Sequence, residues 1–300
     1  MDISVIIVNY NTCELTCKCL DSIFANTQGV RYEVIVVDND SQNDDSKQVL
    51  SRYPGIRYVQ SDTNMGFGMA NNLGYQYVSG RYVLFLNSDT YLLNDAISAF
   101  VNEFDKLPNN VGCIGAQLLS EDGKPNNSFS NLPSLRWYAK TVGAIYLYPF
   151  RRRRMSSSVA DGTLQTSPFE VPYVIGADLC VRREVIEKCG LFDPDFFMYY
   201  EDSEMQSRYR KAGYKAMIVP TPQIVHIEDA SSSTKKPKQY TALSRKWYLQ
   251  SQALYFEKVY CSPYYWLYRI ISLFSFPLYL RSYYTSAEKR MLLRTLFLPL

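Results

Sequence analysis

The sequence predicts an α/β fold in which helices flank a mostly parallel, doubly wound sheet. Three observations predict it: short strands alternate with helix-like segments over the first 120 residues, the strands are apolar on both faces, and polar clusters follow three of them. A strand that is apolar on both faces is typical of the middle of a parallel sheet. Alternating strands and helices indicate βαβ units.

The first four strands and helices alternate regularly. The apolar runs ISVIIV, YEVIVV and YVLFL predict strands at residues 3–8, 32–37 and 82–86, with a weaker strand at 56–59. Helix-like segments fill the intervals near residues 13–26, 43–52, 67–78 and 94–106.

The pattern becomes less regular after residue 110. In chain order we predict a strand at 111–119, a strand at 171–182 and a short helix to residue 189. After the segment 192–202 we predict a helix to about residue 212, a strand at 215–219 and the β-like run QIVHIE.

Charge is distributed unevenly along the 300 residues. The net charge is +3, but residues 235–300 hold 11 Lys or Arg against 2 Asp or Glu, so this tail carries +9 and the rest of the chain −6. Because the body is acidic and no nucleic-acid motif is present, we expect no nucleic-acid partner.

Cysteine usage and the N-terminus indicate the compartment. The seven cysteines form no CxxC pair, which argues against a disulfide framework or a zinc ribbon and favours the reducing cytosol. The start MDISVIIVNYN lacks a basic region and a long apolar run, so we expect no secretory signal.

The segment FDPDFFMYYEDSEM, residues 192–205, places Glu201 and Asp202 directly behind five apolar or aromatic residues. A carboxylate against apolar surface loses hydration, which raises its proton affinity and suits it to accept a proton from a substrate hydroxyl. Asp202 or Glu201 is therefore a candidate general base. The alternative is that the aromatic residues are core and the acids only occupy a first helical turn, where the helix dipole favours negative charge.

Polar clusters follow three of the predicted strands. They are Asn9-Tyr10-Asn11, Asp38-Asn39-Asp40-Ser41 and Asn87-Ser88-Asp89. In open α/β sheets the ligand lies beyond the carboxyl ends of the strands. Asp38 and Asn39 therefore suit a nucleobase or ribose, although Asx residues at this position also cap helices.

The stretch TNMGFGMANN, residues 63–72, opens a helix with two glycines and several amides. A backbone that approaches closely at a helix N-terminus suits an anion or a sugar hydroxyl. The GxGxxG spacing and the Walker lysine are both absent, so neither dinucleotide nor P-loop binding is supported.

Asp89 and His226 are candidate metal ligands. Asp89 follows the fourth strand, where a carboxylate suits a divalent cation that bridges two phosphates. His226 is the single histidine of the chain, and imidazole with carboxylate suits manganese. The alternative is that His226 makes only structural hydrogen bonds.

Six motifs follow one another in order from residue 3 to residue 226. They are SVIIVNYNT, VVDNDSQND, TNMGFGMANNLG, YVLFLNSDT, VIGADLCVRREVIEKCGLFDPDFFMYYED and the later histidine. In their order and approximate spacing they resemble the motifs of inverting family 2 glycosyltransferases with the GT-A fold. Within that family the chain resembles the bacterial rhamnosyltransferase-like enzymes that build O-antigen and other surface polysaccharides.

The resemblance implies a role for each matching residue. Asp202 is the expected catalytic base and Glu201 a supporting residue, while Asp89 is the metal-binding member of a shortened DxD element. The implied donor-binding residues are Asn9, Asp38, Asn39, Asn64, Gly66, Asn71, Ser88 and Asp89. Gly176, Ala177 and Asp178 are the implied acceptor-binding residues. Asp89 and His226 would hold Mn²⁺ or Mg²⁺.

The resemblance also implies the domains and the reaction. We expect a GT-A catalytic domain over residues 1–230, with a nucleotide-binding half at about 1–120 and an acceptor half at about 121–230, and a basic, aromatic helical tail at 231–300. The expected reaction is inverting transfer of a hexose, with L-rhamnose from dTDP-rhamnose as the leading donor and a UDP-sugar otherwise, onto a lipid-linked glycan. The alternatives are a catalytically silent scaffold subunit and a sugar nucleotidyltransferase, although the glycine-rich signature of the latter is absent.

The composition of the tail at residues 231–300 predicts that it contacts a membrane surface. The run YYWLYRIISLFSFPLYL at residues 264–280 contains an arginine and a proline and is short for a span, so an interfacial helix fits better. The alternative is that it packs on the catalytic domain or on a second subunit as a homodimer. Four arginines at residues 151–154 would likewise suit anionic headgroups or the diphosphate of an acceptor, and the alternative is that they form only a solvated turn. We therefore expect a cytoplasmic protein that is peripheral on the inner face of the cell membrane.

Overall fold

A computed structural model describes residues 1–147, 164–227, 241–280 and 284–297. The predicted domain boundary near residue 230 and the four arginines at 151–154 lie outside these ranges. The predicted α/β architecture is confirmed, because a central sheet carries helices on both faces and further helices follow at the C-terminal end.

The strands are β1 (Ile3–Asn9), β2 (Tyr32–Asp38), β3 (Ile56–Gln60), β4 (Tyr82–Asn87), β5 (Thr90–Leu92), β6 (Val111–Ala116), β7 (Phe129–Ser130), β8 (Phe169–Val171), β9 (Tyr173–Val174), β10 (Asp178–Arg182), β11 (Lys215–Val219) and β12 (Ile224–His226). The helices are α1 (Cys13–Asn26), α2 (Ser46–Leu50), α3 (Phe67–Tyr75), α4 (Ala96–Lys106), α5 (Leu135–Leu147), α6 (Arg183–Cys189), α7 (Glu201–Lys211), α8 (Ala242–Val259), α9 (Ser262–Leu280) and α10 (Ser286–Phe297).

The central sheet has the order β3-β2-β1-β4-β10-β6-β11-β8 within the described ranges. Strands β3, β2, β1 and β4 are parallel, and β11 is parallel to β6. Strand β10 lies antiparallel between β4 and β6, and β8 is antiparallel to β11 at the edge. The prediction of a mostly parallel sheet is therefore confirmed.

Strand β1 is apolar throughout because both of its faces are covered. Ile3, Val5 and Ile7 pack into the core on the side of α1 and α4. Ile6 and Val8 pack into the core on the opposite side, with residues of α3, α6 and α7. The register pairs Asn9 with residue 38 and Val8 with residue 87, so the three polar clusters meet at one edge of the sheet.

The strand predicted at 171–182 is instead three short strands. Val171 ends β8 in the central sheet, and β9 pairs with β7 in a separate two-stranded sheet. Pro172 lies between them and has no backbone N–H to continue a ladder, which explains the first break. The second break precedes β10 at residues 175–177.

The C-terminal helices pack on one another and on the body of the protein. Helix α9 packs against α5 and α8 through Tyr138, Phe256 and Tyr268, whose rings are buried together. Among the helices in the described ranges, none combines the length and hydropathy needed to cross a bilayer. All seven cysteines are free thiols.

Candidate active site

The floor of the predicted nucleoside site is a buried hydrogen-bond network between the ends of β1 and β2. The Asn9 amide nitrogen donates to Asp38 Oδ2 at 2.8 Å and to Ser46 Oγ at 2.7 Å, and Asn9 Oδ1 accepts from Thr16 Oγ1 at 2.7 Å. Asp38 Oδ1 accepts from the Ser41 backbone N–H at 2.9 Å. Asn9 and Asp38 are fully buried. Asn9 therefore fixes the Asp38 carboxylate at the strand end.

Asn39 connects this floor to the loop before α3. Its Nδ2 atom donates to Asn64 Oδ1 at 2.9 Å, and its Oδ1 atom accepts from the Met65 N–H at 3.0 Å. Asn64 Oδ1 also accepts from the Gly66 N–H at 3.0 Å. Further along α3, the buried Asn71 side chain donates to the Phe67 carbonyl at 3.0 Å. The structure thus brings the predicted residues Asp38, Asn39, Asn64 and Gly66 together at one edge.

Gly66 joins the loop at residues 61–66, which is predicted to contact the donor and is called the donor loop below, to the segment that carries the acid pair. It has φ +81°, and a Cβ atom here would lie 2.0 Å from the Phe197 carbonyl oxygen. The same oxygen accepts the Phe67 N–H at 3.1 Å. A side chain at residue 66 would overlap backbone that has no rotamer to relieve the contact, so glycine is required at this position.

The turn before the acid pair is strained and is held by α8. Tyr199 and Tyr200 have φ of +69° and +67°, a region that costs non-glycine residues about 1–3 kcal/mol each. Ser251 Oγ donates to the Met198 carbonyl at 2.7 Å, and Gln252 Nε2 donates to Tyr200 Oη at 2.6 Å. Such strain is stored where surrounding contacts fix the conformation. Helix α8 thus positions the start of α7.

Glu201 and Asp202 form the first turn of α7, and burial dominates their electrostatics. Burial raises the pKa of Glu201, and repulsion from Asp202 raises it further. Burial also raises the pKa of Asp202, although the N–H groups of Ser203 and Gly176 lower it by donating to the carboxylate. A helix dipole favours ionised carboxylates in the first turn, so desolvation outweighs it here.

The two carboxylates differ in their partners. Asp202 Oδ2 accepts from the Gly176 N–H at 3.0 Å and its Oδ1 atom from the Ser203 N–H at 2.6 Å. Glu201 is 8% exposed, and its buried Oε2 atom has no hydrogen-bond partner within the described ranges. The arrangement favours an ionised, oriented Asp202 beside a protonated Glu201.

The predicted acceptor residues connect Asp202 to the end of β4. Gly176 contacts Asp202, and the Ala177 carbonyl accepts the Asn87 N–H at 2.9 Å. Asp178 is fully buried and accepts from the Ala116 N–H at 2.5 Å. Burial raises the pKa of Asp178 to about 7, while that N–H and the neighbouring His226 lower it. Ala177 and Asp178 are buried, whereas Gly176 is partly exposed.

Asp89 and His226 meet because β12 pairs with β5. His226 is opposite Thr90 in this antiparallel ladder, and its Nε2 atom lies 3.4 Å from Asp89 Oδ1. Ser88 Oγ lies 3.0 Å from Thr12 Oγ1 beside them. No group of three or more His, Cys, Asp or Glu side chains suited to a metal occurs among the described residues. The imidazole–carboxylate pair suits Mn²⁺ or Mg²⁺ when phosphate oxygens and water complete the coordination.

Sequence reasoning missed the contribution of α8. Ser251 and Gln252 lie outside the six motifs, and they contact the Met198 carbonyl and the Tyr200 hydroxyl through tertiary packing. The positive φ of Tyr199 and Tyr200 also gives no sequence signal, because glycine and asparagine are the usual residues there.

The sequence matches a family model and is similar to several characterised proteins. The model described as glycosyl transferase family 2 matches residues 4–190. The N-acetylglucosaminyl-diphospho-decaprenol L-rhamnosyltransferase of Mycobacterium tuberculosis is 27% identical over 228 residues, which are 71% of this chain and 72% of that protein. The rhamnosyltransferase WbbL of Escherichia coli K12 is 24% identical over 265 residues, 84% of this chain and 91% of that protein.

Solved structures share the fold. S. aureus TarS 1-349 in complex with UDP matches with a TM-score of 0.57 at 16% identity, over 98% of this chain and 79% of that chain. GalNAc-T7 with UDP, GalNAc and Mn²⁺ matches with a TM-score of 0.58 at 16% identity, over 88% of this chain and 52% of that chain. These likenesses confirm the predicted GT-A fold.

Proposed function

Because the chain belongs to glycosyl transferase family 2, we propose that it transfers L-rhamnose from dTDP-rhamnose, or otherwise a sugar from a UDP-sugar, with inversion onto a lipid-linked glycan. The family and the fold make the protein a hexosyltransferase. The observation that carries the proposal is the Glu201-Asp202 pair, in which Glu201 is buried and Asp202 is half-buried. The segment that leads into this pair contacts the donor loop through the Phe197 carbonyl. The pair itself contacts Gly176, which adjoins the end of β4.

Asp202 is the proposed general base. The N–H groups of Gly176 and Ser203 hold its carboxylate in one orientation, and its raised pKa suits it to accept the proton of an acceptor hydroxyl. As that proton moves to Asp202, the hydroxyl oxygen bonds to the anomeric carbon and the bond to the nucleotide diphosphate breaks. Attack from the face opposite the leaving group inverts the anomeric centre. Protonated Glu201 adds no competing charge.

The donor would bind along the edge formed by Asp38, Asn39, Asn64 and Gly66. Its base and ribose would lie above the network that fixes Asp38, and its sugar near the N-terminus of α3. Backbone N–H groups at a helix N-terminus favour anions and polar oxygens. Ser88 and Asp89 lie at the end of β4, on the side of the site where the diphosphate would extend.

Asp89 and His226 are the proposed ligands of a divalent cation, Mn²⁺ or Mg²⁺. Their 3.4 Å separation and their chemistry support this assignment. When bound, such an ion would offset the negative charge that grows on the leaving diphosphate. Asp89 and His226 would hold this ion beside the end of β4, on the side of the site where the diphosphate would extend.

The relatives support a role in cell-surface polysaccharide synthesis. One is named for transfer of L-rhamnose to an N-acetylglucosaminyl-diphospho-decaprenol, and the O-antigen biosynthesis protein RfbC of Myxococcus xanthus is 24% identical over 76% of this chain and 17% of its own length. A lipid-linked acceptor requires that the enzyme reach a membrane surface.

Helix α9 supports the proposed location at the inner face of the cytoplasmic membrane. Its Tyr265 and Tyr268 are buried against the body, whereas Trp266, Ile270 and Phe274 are 60%, 53% and 61% exposed. An apolar face with an interfacial tryptophan beside a basic tail suits an anionic lipid surface. Co-sedimentation of the protein with anionic vesicles tests this location. A stable dimer that does not bind vesicles would instead assign the exposed face of α9 to the predicted homodimer.

A transfer assay tests the proposed function. Purified protein is incubated with Mn²⁺, an N-acetylglucosaminyl-diphospho-lipid and each dTDP- or UDP-sugar, while thermal stabilisation by each donor is measured in parallel. We expect dTDP-rhamnose to stabilise the protein and to yield an inverted glycoside. Stabilisation without transfer would favour the scaffold subunit, and failure of every donor to bind or react would refute the proposal.

A further inference from the structure

A cavity of about 490 Å³ lies between α8 and the segment that precedes the acid pair. Its lining includes Phe197 and Asp195 from that segment and Trp247, Gln250 and Glu257 from α8. Small-molecule sites have volumes of about 300–1,000 Å³, so the cavity is large enough for a ligand. Apart from Ser251, whose hydroxyl holds the turn before the acid pair, its lining side chains have no part in the donor, metal and base assignments.

Aromatic rings form one wall of this cavity. The rings of Phe197 and Trp247 lie 4.8 Å apart between centroids, at an angle of 41°. The Phe197 carbonyl is fixed by the Phe67 N–H at 3.1 Å, and Ser251 Oγ fixes the next carbonyl, that of Met198, at 2.7 Å. The backbone that carries the Phe197 ring is therefore anchored to both α3 and α8.

The polar part of the lining disfavours an anionic ligand. Asp195 and Glu257 contribute two carboxylates, and Lys258 contributes one ammonium group. Lys258 Nζ already pairs with Asp193 at 2.7 Å and with Asp195 at 2.5 Å, so it offers little charge to a phosphate. Aromatic rings beside carboxylates and an amide suit a neutral polyol, whose C–H groups pack on the rings while its hydroxyls donate to the oxygens.

We propose that this cavity is a saccharide subsite that binds a non-reacting sugar of the acceptor glycan. The proposal rests on the proposed glycosyltransferase function. Phe197 lies five residues before Asp202, and five residues span at most about 18 Å, so this wall of the cavity lies within about 18 Å of the base. Two attachment points for one acceptor raise selectivity for glycans that carry a sugar beyond the reacting one.

Direct binding to the purified full-length protein tests the subsite. Saturation-transfer NMR with N-acetylglucosamine, L-rhamnose and their short oligomers, with pyrophosphate as the anionic probe, reports which ligand binds. We expect a saccharide signal in the wild type that weakens at least tenfold in Trp247→Ala and is partly restored in Trp247→Phe. Trp137→Ala removes a 44% exposed tryptophan of α5 and is the matched control, expected to match the wild type.

Kinetics then separate this proposal from the proposed function. With an oligosaccharide-diphospho-lipid acceptor, Trp247→Ala and Gln250→Ala are expected to raise the acceptor KM at least tenfold and the donor KM less than twofold. Asp202→Asn is expected to lose transfer while it keeps the NMR signal. An unchanged acceptor KM in both cavity variants, no saccharide signal, or a signal from pyrophosphate alone would overturn the subsite. Loss of transfer in every assay with the saccharide signal retained would overturn the proposed function alone.

Discussion

Replacement of Gly66 by alanine tests whether the donor loop and the acid pair form one rigid site. The added Cβ would lie 2.0 Å from the Phe197 carbonyl oxygen, whereas contacts of this kind are not found below 3.0 Å. The loop or the segment must therefore move by about 1 Å, and a shift of that size costs about 100-fold in rate when it misplaces reacting groups. Loss of the Phe67–Phe197 hydrogen bond costs a further 0.5–1.5 kcal/mol or so of stability.

Gly190 offers a matched control. Its backbone, at φ +86° and ψ +164°, is close to that of Gly66 at φ +81° and ψ +172°. Alanine in this region costs about 1–3 kcal/mol at either position. At Gly190, however, the nearest atom to an added Cβ belongs to a side chain rather than to the backbone, and it is Arg208 Nη1 at 3.2 Å.

The assay compares kcat/KM for sugar transfer and urea denaturation in the two variants. We expect Gly66→Ala to lose about 100-fold in kcat/KM, and Gly190→Ala to lose stability without a comparable loss of rate. If Gly66→Ala transfers sugar as well as Gly190→Ala, the contact between the donor loop and Phe197 does not position the site.

Three further predictions concern the acid pair and the metal ligands. Because burial raises the pKa of Asp202, kcat/KM should fall on acidification with a midpoint above the ordinary aspartate pKa of about 3.9. Glu201→Gln should keep this acidic decline in kcat/KM and most of the turnover. A decline centred on the ordinary aspartate pKa would contradict the burial argument. The pKa of Glu201 is raised in the folded state, so the stability contributed by its protonated form is fully present below about pH 4.3 and is lost as pH rises through the folded-state pKa. Glu201→Gln should therefore raise Tm more at pH 9 than at pH 5. Equal changes in Tm at the two pH values would contradict this. Asp89→Asn and His226→Ala should each raise the Mn²⁺ concentration needed for half-maximal activity at least tenfold. Titration of the metal-depleted enzyme with Mn²⁺ measures this concentration. An unchanged concentration in both variants would place the metal elsewhere.

Local sequence patterns predicted the strands and the polar edge of the sheet. Strand β1 is apolar on both faces because both are covered, and parallel strands bring residues 9, 38 and 87 to one edge. These features depend on residue periodicity and on the shared direction of neighbouring strands. They can therefore be inferred without knowledge of distant contacts.

Other parts of the site depend on long-range pairing. Strand β10 enters the sheet antiparallel between β4 and β6, and only this position brings Gly176 to Asp202 and Ala177 to Asn87. The approach of His226 to Asp89 requires the pairing of β12 with β5. No local pattern specifies these partners, because each pair joins segments that lie far apart in the chain.

The turn at Tyr199 and Tyr200 could not be predicted for a different reason. Tyrosine rarely adopts positive φ, and the strain is held by Ser251 and Gln252 of α8, about 50 residues later. The apolar run before the acid pair was predicted to desolvate the carboxylates. Its backbone also contacts Gly66 and Phe67, and its Phe197 ring lines a cavity.

The central claim is that Asp202 removes the proton of the acceptor hydroxyl, and Asp202→Asn tests it most directly. A general base typically contributes about 100- to 10,000-fold in rate, so we expect kcat to fall by that factor while thermal stabilisation by the nucleotide-sugar donor persists. Glu201→Gln is the matched control and should keep most of its turnover. Near-normal kcat in Asp202→Asn, measured with the donor that stabilises the wild type, would contradict the account.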